Sequence, residues 1–224
     1  LFEGVGAALL SIRFVQQFGP LRGVGMGVFH AVSAFCNGGF DLMGTPDDPF
    51  CSLVHYAEDP LVSLTIMALI VLGGLGFFVW SDVWDHRRFR SLSLHSKLVL
   101  AMSGVLLGGG FFGVLGMFLG VPVFACLQEL VKHLFEWNAS MADLSIPEKL
   151  LASFFQAVTP RTAGFNTIDE SALTGPSQAV ACVLMLIGGS PGSTAGGLKT
   201  VTVAVLALSA VSALRGRTSV PAFG

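Results

Sequence analysis

The sequence predicts an all-α fold embedded in a membrane, built on a repeated unit of helix, half-helix, loop and helix. Three observations predict it: little charge, long stretches with almost none, and two copies of one glycine-centred pattern. Of 224 residues, 53% are apolar and 12% charged, whereas a soluble domain carries roughly a quarter charged residues. Residues 61–80 and 98–127 hold no charge, and 172–214 hold only Lys199. Each stretch reaches the roughly 20 residues that span a bilayer core. The 28 glycines suit close helix packing in lipid and also breaks where backbone faces an ion or water.

The net charge of −2 leaves no nucleic-acid footprint. Cysteines at 36, 51, 126 and 182 form no CxxC pair, and all but Cys51 lie in apolar sequence, which argues against a zinc site and against a disulfide framework. The chain opens at Leu1 within an apolar run and reads as an excised middle piece.

Orientation follows from the basic residues of short loops. Residues 81–97 hold Arg87, Arg88, Arg90 and Lys97, which predicts a cytoplasmic loop. Residues 41–60 hold Asp41, Asp47, Asp48, Glu58 and Asp59 with no Lys or Arg, which predicts an external one. The stretch 61–80 then runs inward and 98–127 outward, leaving 128–149 outside. Within that external part, Leu127, Leu130, Val131, Leu134 and Phe135 share one helical face, with Trp137 as an interface anchor. Asn138 to Ser140 is an N-x-S sequon, a pattern short enough to arise by coincidence.

The stretch 172–214 is too long for one helix: 43 residues at 1.5 Å each reach about 65 Å, twice the hydrocarbon thickness. It breaks at GGSPGSTAGG, residues 188–197. A single interrupted pass places Arg215 and Arg217 in the cytoplasm. Irregular backbone at membrane depth is tolerated only when buried in protein or lining a wet cavity, so the break itself implies a pathway.

The internal repeat comprises Phe29–Phe40, FHAVSAFCNGGF, and Phe155–Phe165, FQAVTPRTAGF. Gly39 and Gly164 align 125 residues apart, so the repeated unit spans about two helices and a loop. In both copies the apolar stretch before the glycine, about a dozen residues, is too short to span. A half-helix entering from outside points the negative end of its dipole at the membrane centre, which favours a cation there. Glycine then lets successive carbonyls replace the ion's hydration shell. Asn37, Gly38, Gly39 and Phe40 form one candidate filter segment, and Thr162, Ala163, Gly164 and Phe165 the other. Carbonyl oxygens without a carboxylate suit a weakly hydrated monovalent ion. Potassium leads, with sodium as the alternative. Two segments cannot encircle an ion, so a fourfold filter needs two more.

FHAVSAFCNGGFDL, QAVTPRTAGFNTID and GGSPGSTAGGLKT together resemble the KtrB-type potassium-translocating membrane subunits of the Trk/Ktr/HKT superfamily. The resemblance covers nearly the whole chain. It implies an all-α integral membrane fold of helix–pore-loop–helix repeats of the potassium-channel-like type. Residues 1–90 would be one repeat, the second of four, and 91–224 the third with an interrupted last helix. It implies that Gly188, Gly189, Ser190, Pro191, Gly192, Ser193, Thr194, Ala195, Gly196 and Gly197 form an intramembrane gate loop beneath the filter. It further implies a bacterial plasma (inner) membrane location, a homodimer, and a cytoplasmic ring of nucleotide-binding regulatory subunits of the KtrA/TrkA type. K+ (or Na+) would be the transported ion, held at the filter only, with no cofactor in this chain. Gly38 departs from the family pattern, in which alanine is common, and leaves the filter less constrained by side-chain packing.

Lys199 has two readings: a pore cation that repels ions or pairs with a carboxylate, or a lysine at a helix start whose amine reaches the aqueous vestibule. Two rival functions have partial support in the sequence. GSTAGGLKT approaches the phosphate-cradling GxxxxGK[ST], but Leu198 intervenes between Gly197 and Lys199 and no strand precedes it. A secondary transporter with broken helices would place polar or acidic side chains within its spans, which hold none. The five histidines, at 30, 55, 86, 95 and 133, are scattered; His30 is expected to hydrogen-bond within the half-helix packing, and enzymatic chemistry has no constellation to support it.

Overall fold

A computed structural model of the chain describes residues 1–100, 136, 139–160 and 162–216. Most of the stretch 98–127, the amphipathic face at 127–135, Trp137, Asn138, Cys126, His133, Arg161 and Arg217 lie outside the described residues. The described residues are helical, with no strand among them beyond a single parallel bridge between Ile187 and Leu198.

Helix α1 (Phe2–Phe18) turns at Gly19 into α2 (Pro20–Phe35), whose Pro20 takes the first helical position, where the missing N–H costs nothing. The two pack along their lengths as a hairpin. Gly23 and Gly27 sit directly against the α1 backbone, where a Cβ would come within 2.5 Å of the Val15 Cα and 2.9 Å of the Ala7 carbonyl oxygen. After the 36–59 loop, Asp59 caps α3 (Pro60–Leu75) by accepting hydrogen bonds from the Leu61 and Val62 amides, and it receives the Arg13 guanidinium of α1 at 2.5 Å. Helix α3 is buried nearly all round. It packs on α1, on α2 and on α5 (Ile146–Val158), which starts with a Ser145/Glu148 capping box. The core between them holds Leu10, Phe14, Val62, Ile66, Ile70, Phe155, Val158 and Phe165.

The charge-free stretch 61–80 is not one straight span. At Gly76 (φ 84°) the chain bends by 85° into α4 (Phe77–His86). At the bend Gly76 is packed against the later loop: a Cβ there would lie 2.6 Å from the Ser190 hydroxyl and 3.2 Å from the Gly192 backbone, and the glycine's left-handed φ ends the helix. Residues 94–100 are helical again. Helices α6 (Gly175–Met185) and α7 (Thr200–Leu214) flank the interruption expected at 188–197. No single helix among the described residues is long and apolar enough to cross a membrane; α3 and α4 together have the length and composition, but bent.

The outward faces carry Ile12, Val24, Val28, Val205 and Leu206, all about half exposed or more. A surface this apolar fits lipid or further protein rather than water.

Candidate functional site

Both aligned segments follow the C-terminus of a short helix, α2 or α5. In each, the backbone adopts the same alternation of hand. Asn37 has φ 51° and Gly39 φ 67°; Thr162 has φ 64° and Gly164 φ 81°, while Gly38 and Ala163 between them stay outside the left-handed region. Alternating hands carry successive peptide carbonyls, which face opposite ways in an extended strand, toward a common side. The two turns meet. A Cβ on Gly39 would lie 2.4 Å from the Ala163 carbonyl oxygen and 2.8 Å from the Gly164 Cα, and one on Gly164 would lie 3.2 Å from the Gly39 Cα. Glycine is required at Gly39 for both space and conformation.

Hydroxyls latch both turns to the helices before them. Ser33 Oγ donates to the Phe40 carbonyl at 2.7 Å, and Thr159 Oγ1 donates to the Phe165 carbonyl. These residues align in the repeat, but their role as latches was not legible in sequence, since Ser and Thr are equally at home on any helix face. His30 sits fully buried between Phe14 and Phe29. Its Nδ1–H donates to the Met26 carbonyl at 2.7 Å and its Nε2 accepts the Leu42 amide at 3.2 Å. With both ring nitrogens engaged as donor and acceptor, this is a neutral imidazole that pins the chain leaving the first turn. Gln156, its counterpart, donates to Glu170 at 3.1 Å and pins the chain leaving the second. Phe165 is buried, whereas Phe40 is largely exposed.

The loop at 188–197 packs against both turns. Gly188 donates to Leu198 O, Leu198 to Leu186 O and Thr200 to Gly189 O, closing the loop at its base. The base leaves no space for a side chain, since a Cβ on Gly188 would fall 1.5 Å from the Gly196 oxygen. Asn37 Nδ2 donates to Thr194 Oγ1 at 2.9 Å, and that hydroxyl donates to the Phe35 carbonyl at 2.9 Å. On the other turn, the Gly196 amide donates to Thr162 Oγ1 at 3.0 Å. Ser190 is fastened to the end of α3, its amide donating to Gly74 O and its hydroxyl to Leu75 O. Lys199, half-buried, donates through Nζ to the Ala195 carbonyl at 2.7 Å, with no carboxylate within ion-pair distance among the described residues. Thus Asn37, Thr162, Thr194, Gly196 and Lys199 form one connected junction.

Each turn keeps one open flank. A cavity beside the first is lined by Val32, Ser33, Cys36, Gly38 and Phe40, and one beside the second by Thr159, Thr162, Gly164, Asn166 and Glu170. Outside the turns, Glu136 caps α6: its carboxylate accepts from the Thr174 amide at 2.8 Å and from the Ser140 hydroxyl at 2.6 Å. Burial pushes that carboxyl up, but the hydrogen bonds from Ser140, Ser177 and Thr174 outweigh it and hold it below the ordinary glutamate value.

The family described as TrkH, cation transport protein, matches residues 4–221. The chain is similar to the potassium/sodium uptake protein NtpJ of Enterococcus hirae, at 38% identity over all of this chain and 45% of that protein. It is similar to the Ktr system potassium uptake protein B of Bacillus subtilis at 38% identity (96% of this chain, 43% of that protein) and of Vibrio alginolyticus at 36% (99% and 44%). The chain therefore spans less than half the length of these relatives.

Proposed function

The chain belongs to the TrkH family of cation transport proteins, a family of transporters and not of enzymes, and from that premise we propose that it supplies two of the pore segments of a potassium uptake subunit. A monovalent cation passes between backbone carbonyls of Asn37, Gly38, Gly39 and Phe40 on one side and Thr162, Ala163, Gly164 and Phe165 on another. The observation that carries this reading is the shared alternation of backbone hand in two contacting turns 125 residues apart. Helix packing alone has no use for left-handed residues at matching positions in both copies.

Three further features support it. The open flank beside each turn leaves places for two more segments, as a fourfold filter requires. Asn37 Oδ1 is buried without a hydrogen-bond partner among the described residues, at the junction of filter and loop, where a cation or its hydration water would satisfy it. The loop 188–197 is bonded to both turns, so moving it alters the filter's inner end; this is the property expected of a gate. The names of the relatives, potassium/sodium uptake and potassium uptake, favour K+ with Na+ as the alternative ion. A multi-pass location in the bacterial plasma membrane, a homodimer and a cytoplasmic nucleotide-binding ring complete the proposal, the last in keeping with relatives named as parts of a Ktr system.

The test is potassium uptake by a bacterial strain lacking its own uptake systems, expressing the full-length parent subunit or its Gly39→Ser or Gly164→Ser variant. Weakened or sodium-permissive uptake is expected from either variant. Unchanged uptake and selectivity in both would return the glycines to helix packing.

A further inference from the structure

The 36–59 loop carries a second constellation, beyond the first turn in sequence. Asp48, Cys51 and His55 each present one ligand atom, and the three atoms lie within 4.8 Å of one another. From these positions we infer a binding site for a divalent transition metal of the zinc type on the outer loop, with Asp48, Cys51 and His55 as ligands and water in the fourth position.

The donor set selects the class of ion. Carboxylate oxygen, thiolate sulfur and imidazole nitrogen are the zinc ligands, at about 2.0 to 2.3 Å, whereas calcium and magnesium take oxygen ligands. Around such an ion the ligand atoms sit roughly 3 to 4 Å apart, so the exposed Asp48 and His55 side chains need move only slightly. Neither makes another side-chain hydrogen bond among the described residues. Cys51 is buried, 3% exposed, and its thiol now donates to the Met43 carbonyl at 3.2 Å. Metal binding breaks that bond, forms the metal–sulfur bond and releases the thiol proton to water.

The backbone holding the ligands is already fixed, which lowers the ordering cost of binding. The Val54 amide donates to Cys51 O, and His55 lies in the short helical turn Val54–Tyr56. Between the two ligands, the Leu53 amide donates to Asn166 O at 2.9 Å, and Ser52 Oγ accepts the Asn166 amide at 3.2 Å. The field is also favourable. Residues 41–60 contain five carboxylates and no Lys or Arg, and such a surface concentrates cations. Paired-cysteine spacing in the sequence does not reveal such a site, because it uses a single cysteine.

The experiment uses the tag-free full-length subunit, purified, with zinc titrated against a chromophoric chelator. It is read as metal bound, so its outcome is independent of transport. Expected is one zinc ion per chain that is lost from Cys51→Ser and weakened about 100-fold or more in His55→Ala, a surface change that spares folding. Cadmium should displace the ion and millimolar magnesium or calcium should not. The inference is overturned if His55→Ala binds zinc with the parent's affinity and stoichiometry, if calcium displaces zinc at equal concentration, or if no zinc binds.

Discussion

The two turns at 37–40 and 162–165 share a backbone and differ in nearly everything that holds it. Both place left-handed residues two apart, and both are latched by a hydroxyl to the following phenylalanine carbonyl. Beyond that they diverge. The first is pinned by neutral His30 through the Leu42 amide, the second by a Gln156–Glu170 hydrogen bond. The first reaches the 188–197 loop through the Asn37 amide group, the second through the Thr162 hydroxyl. The difference teaches that the backbone conformation is the quantity the two turns share. Any side chain of suitable reach can support it, provided the alternation of hand and the close approach of the glycines are kept.

The largest expected effect breaks the symmetry of the pair. Gly39→Ala combines left-handed strain with a clash against the Ala163 oxygen, costing roughly 3 kcal/mol or more. Gly164→Ala meets only the Gly39 Cα at 3.2 Å, and its cost is about 1–2 kcal/mol. Thermal unfolding of the purified full-length subunit should therefore rank Gly39→Ala well below Gly164→Ala; equal losses would mean that the two turns are not in contact.

Next come the latches. Ser33→Ala and Thr159→Val each leave a carbonyl without its donor, at a cost of about 1–3 kcal/mol. Similar losses at both are expected in denaturation, and the larger should fall at Thr159, whose Phe165 partner is fully buried while Phe40 is exposed.

Acid should sharpen the comparison, because Glu136 supports only the side of the second turn. Its carboxyl is depressed in the folded protein, so the stabilisation is present above the ordinary glutamate range and lost as pH falls through the folded value. A melting-temperature profile should drop at acidic pH in the parent and drop less in Glu136→Gln, which starts lower at neutral pH. Parallel profiles would assign the acid sensitivity elsewhere.

The links to the loop are weaker, about 1 kcal/mol each. Asn37→Ala and Thr162→Val should change folding stability little yet alter the regulation of potassium uptake. Unaltered regulation in both would detach the loop from gating. The smallest effect is expected at Gly38→Ala. Gly38 lies outside the left-handed region, and a methyl there meets only ordinary contacts at 3.4 Å and beyond. A rise of about 0.5 kcal/mol in stability follows from the stiffer unfolded chain.

Much of this molecule was written locally. Charge scarcity pointed to a fold class that agrees with the helical structure of the described residues and with membership of a cation transporter family. The repeated glycines marked the two turns, and five glycines with a proline marked the break between α6 and α7. These are properties of composition and of dihedral preference, which act over a few residues wherever the chain goes. What the sequence could not give is the meeting of distant segments. The charge-free stretch 61–80 reads as one span, yet it bends at Gly76, where Ser190 and Gly192, over a hundred residues later, pack against the glycine. Thr194 on Asn37, Gly196 on Thr162 and the two glycines back to back are likewise set by packing of α2, α3 and α5. A short-range code specifies which backbone can break and turn; only tertiary packing decides which breaks face one another, because that depends on distances between residues that no local preference encodes.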